Sequence, residues 1–481
     1  MKGIESIRES FKTKQVKYGG YAALITLAVI VGLILVNLLA GQLSLQIDLT
    51  SSKIYSLSEQ TLKVLETVNT PVKFYGLWRP GEERPDVINV INLYLSKNKN
   101  ISLDVLDPDR NPGFVAKYDK EKKGVPRGSL IVEGSKGYRI INPYDMYDIT
   151  QNRQGQSSIT GVAAERRITS ALLYAGTGNT PIIYELTGHG EVPLSSFNMV
   201  DLVERENFTL KTVNLLVSPV PSDASSLILN NPQRDLTEDE AVKILDYLEK
   251  GGRLLILADY NTRELTNLNV VLASYGVELN YGIVMENDPN YSVAVFAFSE
   301  LPDVLEHDIT KPLMNKSQTP VFLLGAMSVS TLDTKRRTVE VKPLLSTSPT
   351  AILRTDLNNS AETIQPGDIR GPHILGAAVM DPSWLDPNNP EPQARIVIIG
   401  SGSLLNIAMQ GFDANRDLFM NSVTWLENRP ETISVRSKSL FLLPMRLNLL
   451  QIVIFGSLFI LIIPLAFFIT GLVTWLKRRH L

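Results

Sequence analysis

The chain has no cysteine. This excludes disulfides, thiolate nucleophiles, cysteine-bound zinc and lipid attachment through a thiol, and it suits an oxidising or extracytoplasmic setting. Histidine is almost as scarce, with four residues in 481. His189, His307, His373 and His480 lie far apart in the sequence, and a zinc site needs three or four ligands, so no metal centre is expected. A Walker A loop is also missing. "GSLIVEGSK" has the wrong spacing and falls on a hairpin, and "GTGNTP" (176–181) ends in a proline before a strand, which rules out a dinucleotide fingerprint. No G-x-S-x-G nucleophile elbow occurs. Charge of either sign is not in excess: the net is −3, so nucleic acid is not an expected partner. Nothing in the sequence implies a cofactor.

What the chain does have is two long runs without charge. From Tyr18 to Ile47 there is no charged residue, and the same holds from Leu447 to Leu476. Each run exceeds the roughly 20 apolar residues that span a bilayer. We therefore expect transmembrane helices over 18–43 and 447–476, with Pro464 kinking the second. Lys2, Arg8, Lys12, Lys14 and Lys17 precede the first run, and Lys477, Arg478 and Arg479 follow the second. Positive flanks stay in the cytoplasm. The expected arrangement is cytoplasmic tails at 1–17 and 477–481 on a bacterial inner membrane, with everything between outside. The first run lacks an A-x-A cleavage site, and Gln42 stands where a lipoprotein box needs its Cys, so an uncleaved anchor is expected.

Between the anchors the fold class is α/β. In residues 48–178 the pattern predicts a helix capped by Ser58, a strand at 72–78, a helix at 85–98, a strand at 101–109, a short helix after Asn111, a hairpin at 128–142 and a helix at 160–176. The order β-α-β-α-β-β-α is that of a thioredoxin-like fold without its redox C-x-x-C. In residues 180–430, apolar strands alternate with amphipathic helices, which argues for a Rossmann-like, mostly parallel sheet covered on both faces. Thr237 and Glu240 form a capping box before a helix that stops at Gly251-Gly252. Residues 286–393 read as an irregular insertion with several β elements, and 431–446 as a linker to the second anchor.

"TGHGE" (187–191) follows the first strand of the larger domain. His189 and Glu191 admit a catalytic or ligand role, or a contact with a partner. A tight turn with Gly188 and Gly190 at positive φ explains the same residues. "GSGSLL" (400–405) could open a helix toward an anion or be a common strand-end turn. "DPDRNP" (107–112) and "NDPN" (287–290) are acidic turns.

"YSLSEQT" (55–61), "TGHGE", "LILNNPQRDLTEDEAVKILDYLEKGGRLLILAD" (227–259), "LASYGVEL" (272–279) and "NRDLFMNSVTWL" (415–426) stand in this order between two anchors. The set resembles the GldG-type auxiliary proteins of ABC-2 transporters, associated with gliding motility. In that family the larger domain is similar to class I glutamine-amidotransferase-like folds and to domains of intraflagellar-transport proteins. The amidotransferase nucleophile is a Cys, so that activity is not implied here. An acidic residue often follows the strand where this chain has Ser401. The resemblance implies a non-enzymatic subunit that joins a separate permease and cytoplasmic ATPase and binds an exported substrate or envelope glycan outside. The candidate contact residues are Thr187, Gly188, His189, Gly190, Glu191, Asn230, Asn231, Asp259, Asn415 and Arg416. An envelope glycan hydrolase using His189 and Glu191, and a purely structural scaffold of a surface machine, are the alternatives.

Overall fold

The computed structural model describes residues 21, 24–35, 56–120, 122, 124–151, 157–178, 180–197, 199–260, 264–293, 298–314, 320–358, 363–382, 393–405, 413–427, 438–439 and 456–479. The two cytoplasmic tails expected at 1–17 and 477–481 lie outside them, apart from 477–479, and so does His480. Within 18–43 the described part is Tyr21 and the apolar helix Leu24–Leu35. Within 447–476 it begins at Gly456, and Ser457–Leu476 is long and apolar enough to cross a membrane. Pro464 is accommodated by a π-helical turn at Ser457–Ile462 directly before the helix Ile463–Arg479. A proline lacks its N–H and crowds the carbonyl four residues back; widening the preceding turn relieves both.

From Leu57 onward the chain first builds a four-stranded sheet. Helix α1 (Glu59–Thr67) starts at Ser58, whose hydroxyl accepts the N–H of Thr61. Strand β1 (Val72–Gly76) leads to α2 (Pro85–Lys97), β2 (Ile101–Val105), α3 (Pro112–Tyr118) and the hairpin β3 (Leu130–Glu133) to β4 (Tyr138–Ile141). The order is β2-β1-β3-β4; β2 runs parallel to β1, while β3 is antiparallel to both β1 and β4. A second hairpin, β5 (Tyr147–Gln151) and β6 (Ser157–Val162), precedes α4 (Ala164–Thr177). The helix expected from residue 160 therefore begins four residues later. Its first positions are used in pairing with β5, and that long-range demand outweighs local propensity.

The larger sheet follows. Strands β7 (Ile182–Leu186), β8 (Thr209–Val213), β9 (Ala224–Asn230) and β10 (Arg253–Leu257) are linked by α5 (Met199–Arg205) and α6 (Glu238–Glu249). After β10 come α7 (Thr266–Ala273), β11 (Val277–Asn280), β12 (Ser328–Thr331), β13 (Glu340–Ser346), β14 (Ile374–Asp381), β15 (Ala394–Ile399) and α8 (Asp413–Leu426). The parallel strands lie in the order β8-β7-β9-β10-β15. Numbered along the chain this is 2-1-3-4-5, one of the doubly wound orders. β14 continues the sheet antiparallel to β15, and β13, β12 and β11 extend it beyond. Much of the stretch read as an irregular insertion therefore belongs to the main sheet.

Two apolar clusters cover the two faces. Ile183, Ile228, Leu255, Val397 and Ile399 point to one face, against Met199, Val203, Leu418 and Phe419. Tyr184, Leu227, Leu229, Leu254 and Ile396 point to the other, against Ile244, Leu248, Leu268 and Val271. Successive strand residues alternate faces, so strands buried on both sides must be apolar throughout, as "RLLIL" and "ARIVII" nearly are. Finally, Lys438–Ser439 in the stretch read as a linker forms β16, which pairs antiparallel with β6. The larger sheet is thus threaded between two parts of the smaller region.

Candidate functional site

In a doubly wound sheet a crevice opens at the carboxyl ends of the strands where the chain order reverses. Here that point lies between β7 and β9. Thr187–Glu191 leaves the end of β7 and Asn230-Asn231 the end of β9, so the fold brings these seven predicted residues together.

The chain itself fills the crevice. Gly188 has φ 126° and Gly190 φ 79°, conformations that side chains other than glycine rarely adopt. Their turn drives His189 inward, where it is 6% exposed. Its Nδ1 lies 3.1 Å from Glu191 Oε1 and its Nε2 lies 2.9 Å from Glu240 Oε2. The His189 N–H donates to Glu191 Oε2 at 2.7 Å. Thr237 donates both its N–H and its hydroxyl to Glu240 Oε2. Each ring nitrogen thus faces a carboxylate oxygen, and the two carboxylates hold the imidazole from both sides. Neither ring nitrogen faces open space, and the geometry is that of a buried staple between β7 and the start of α6.

The other residues close the same seam. The His189 carbonyl accepts the N–H groups of Gln233 and Arg234, and Gly188 O accepts Arg234 Nη2. Thr187 donates its N–H and hydroxyl to Val213 O. Asn230 is wholly buried; its side-chain amide donates to Val192 O at 2.6 Å and its backbone carbonyl accepts Val192 N–H. Asn231 has φ 53° and its N–H reaches Leu257 O. A side chain at Gly402 would meet Asn231 at 2.9 Å, so the rim is packed as far as β15.

Farther along, the rim is covered by the insertion. Ser401 and Ser403 of "GSGSLL" both donate to Leu324 O, and Ser403 accepts Leu324 N–H. The turn expected to hold an anion is held down by chain instead. Asn415 grips Phe322 at both its N–H (2.9 Å) and its carbonyl (2.6 Å). Arg416, its neighbour on α8, is exposed. The isolated histidines are also structural: His373 Nε2 pairs with Ile369 O, and His307 Nδ1 accepts Ile309 N–H and packs edge-on to Trp425. Burial lowers both pKa values.

Asp259, at the end of β10, lies under the same cover beside Gly325. Burial pushes its pKa up to about 6 against the opposing Tyr260 N–H. Glu300 is 1% exposed, and neither carboxylate oxygen has a hydrogen-bond partner among the described residues. Burial raises its pKa well above the ordinary value, and the charges of Glu286 and Asp259 add to the rise; its own N–H and that of Ala326 favour the ionised form but lie outside hydrogen-bond geometry and are outweighed. Sequence reading named Asp259 but missed Glu300, which sits in a two-residue strand with no periodic signal. It also read Glu240 only as a helix cap, without its second role against His189.

A search of curated proteins finds no matching sequence. Among solved structures, one described as the mmIFT52 N-terminal domain shares 16% identity with a TM-score of 0.37, covering 51% of this chain and 97% of that one. The exo-beta-1,4-mannosidase Op5Man5 from Opitutaceae bacterium strain TAV5 shares 10% identity with a TM-score of 0.26, covering 71% and 47%. At these scores neither likeness bears on what this chain does. A family model described as an ABC-type uncharacterized transport system, ABC_transp_aux, matches residues 180–429. That span runs from the strand before "TGHGE" through the closing helix and takes in just over half the chain, so the protein belongs to this ABC-transport auxiliary family.

Proposed function

We propose that this chain is a non-enzymatic, membrane-anchored auxiliary subunit of an ABC-2-type transporter, of the GldG kind. It would hold its two termini in the cytoplasm of a bacterial cell, anchor at 18–43 and 447–476, and present residues 48–178 and 180–430 outside. A separate permease and a cytoplasmic ATPase would be its partners, with membrane lipid around its anchors. One observation carries the two-anchor reading. The chain arrives at Ser58, whose N–H donates to Glu165 Oε1 at 2.7 Å, and leaves at Lys438, which pairs with Val162. Both ends of the folded region therefore lie within a few residues of each other, which suits a region held to one membrane at both ends.

The strand order β2-β1-β3-β4, with β3 antiparallel to both its neighbours, supports a thioredoxin-like domain at 48–178. The doubly wound order of the parallel strands supports the amidotransferase-like reading of 180–430, with the insertion at 286–393. The lack of cysteine removes the amidotransferase nucleophile, and the double pairing of His189 supports a binding role over glycan hydrolysis. Contact with a protein partner fits the rim better than a small ligand in its crevice. Leu216, Val217 and Val242 are 48%, 81% and 62% exposed and flank the hydrogen bond from Lys243 to Leu215 O, beside the turn that Asn214 shares with Gly188. A glycan or exported substrate would then be met by the assembled complex.

The cysteine-free chain makes the topology directly measurable. Single substitutions Lys2→Cys, Tyr144→Cys and Val217→Cys are expected to divide sharply with a membrane-impermeant maleimide on intact spheroplasts. Tyr144 and Val217, exposed in the structure, mark positions that should label at once, and position 2 should label only after lysis. Labelling of position 2 in intact spheroplasts would refute the cytoplasmic termini. Mild-detergent purification of the full chain should carry an ATPase and a permease with it.

A further inference from the structure

A cleft of about 330 Å³ lies where β4 and α4 face α5, between the two regions of the fold. Its volume is at the lower end of small-molecule sites. Arg139, Arg167 and Arg205 line it, with Arg166 next to Arg167 on α4. Three of these four have carboxylate partners. Arg205 pairs with Asp145, Arg166 with Asp148 and Glu206, and Arg167 with Glu206 at 2.6 Å.

Arg139 differs. Its guanidinium stacks 4.0 Å from the Tyr174 ring, and one terminal nitrogen reaches Thr180 Oγ1 at 3.3 Å. These contacts fix its direction. Yet it has no carboxylate partner among the described residues, and its Nε is buried without any acceptor. A buried donor left without an acceptor is costly, and a planar guanidinium is the fork that carboxylates match with two parallel bonds.

The floor of the cleft is also short of negative charge. Arg167 is 6% exposed. Burial brings its pKa down to about 10, and the nearby charges of Arg166 and Arg205 outweigh part of what Glu206 returns. On the rim stand Asp201 and Glu204, both exposed and without a basic partner among the described residues. Such a site attracts one negative charge at its floor, repels a second at its mouth, and offers acceptors to hydroxyl or ammonium groups there.

We propose that this cleft binds a small ligand carrying a single carboxylate on a hydroxyl- or amine-bearing frame, of the acidic-sugar or amino-acid class, with Arg139 as the anchor of the carboxylate. Phosphate, a dianion near neutral pH, is disfavoured by Asp201 and Glu204. The assignment is independent of any transporter partner.

Titration calorimetry of the full chain in detergent with glucuronate, with serine and with inorganic phosphate tests this. Saturable binding of glucuronate or serine is expected, and which of the two binds separates sugar from amino acid. Arg139→Gln should weaken it by about tenfold or more, the loss of one charge-assisted bidentate contact. Arg139→Lys, which keeps charge and stacking stem but loses the fork, should fall between. Glu204→Gln, on the exposed rim, should leave the fold intact and narrow the preference against phosphate. Binding of phosphate alone, no saturable binding of any probe, or binding that Arg139→Gln leaves unchanged in a folded protein would each overturn the proposal.

Discussion

His189→Ala is expected to destabilise the larger sheet region by about 3–5 kcal/mol, the usual cost of removing one partner from a buried charged network. The side chains of His189, Glu191 and Glu240 are 7%, 4% and 1% exposed, so water cannot replace the ring. Two carboxylates would remain in an apolar rim with their shared donor gone. Glu240→Gln should cost less, because the amide oxygen still accepts from Thr237 and from the ring. The urea midpoint of the full chain in detergent reads both effects. A catalytic or ligand-binding His189 would behave differently: its alanine variant would keep the midpoint and lose only function. A wild-type midpoint for His189→Ala would sink the staple reading.

Asp259→Asn and Glu300→Gln should instead stabilise the protein at neutral pH. Both carboxyl groups have folded-state pKa values raised above their ordinary ones. Their contribution is therefore fully present below the unfolded value and is lost as pH rises through the folded one. For Asp259 that window runs from 3.8 to about 6, and the loss across it is on the order of 2–3 kcal/mol. Glu300 extends the decline toward higher pH. The amide variants carry no charge to bury, and the amide oxygen introduced by Asp259→Asn can still accept the Tyr260 N–H. Wild type and variants should match near pH 4 and separate above pH 6, with the variants more stable. An unchanged slope of midpoint against pH in the double variant would show that these groups are not buried as the structure has them. This coupling also predicts where the wild-type chain loosens first at alkaline pH: under the insertion that covers Asp259 and Glu300.

Much of the architecture was legible in the residues because the signals were local. Ser58 and the pair Thr237/Glu240 mark helix starts through bonds three residues long. The hairpin turn between Glu133 and Tyr138 was visible from its glycines. Runs such as "RLLIL" announced strands buried on both faces. What stayed hidden depended on distant partners. Residues 157–162 form a strand only because β5 and, much later, Lys438–Ser439 lie beside them. β14 joins the main sheet because β15 offers a free edge. The amphipathic stretch after "TGHGE" forms the short turn Leu194–Phe197 and the helix Met199–Arg205, and Asn207 at φ 62° follows its end. The candidate site shows the same division. "TGHGE" and Asn230-Asn231 each follow an apolar run, which marks them as strand ends, but whether their rim is open depends on side chains from α6 and the insertion. Arg139 gave no signal at all, since its lack of a carboxylate partner exists only in three dimensions.

The pairing of β16 with β6 also sets a path for mechanical load. Any tension between the two ends of the folded region, pulled apart by helices moving in a membrane, enters at Ser58 and at Lys438. Those points are tied to Glu165 and Val162, within the same short stretch of chain. The force is carried across that knot and bypasses the larger sheet, which hangs from it as a loop of chain closed at its base. The larger sheet can therefore keep its shape while the two ends of the folded region are displaced, and the first bonds to part under strain are those few at the base.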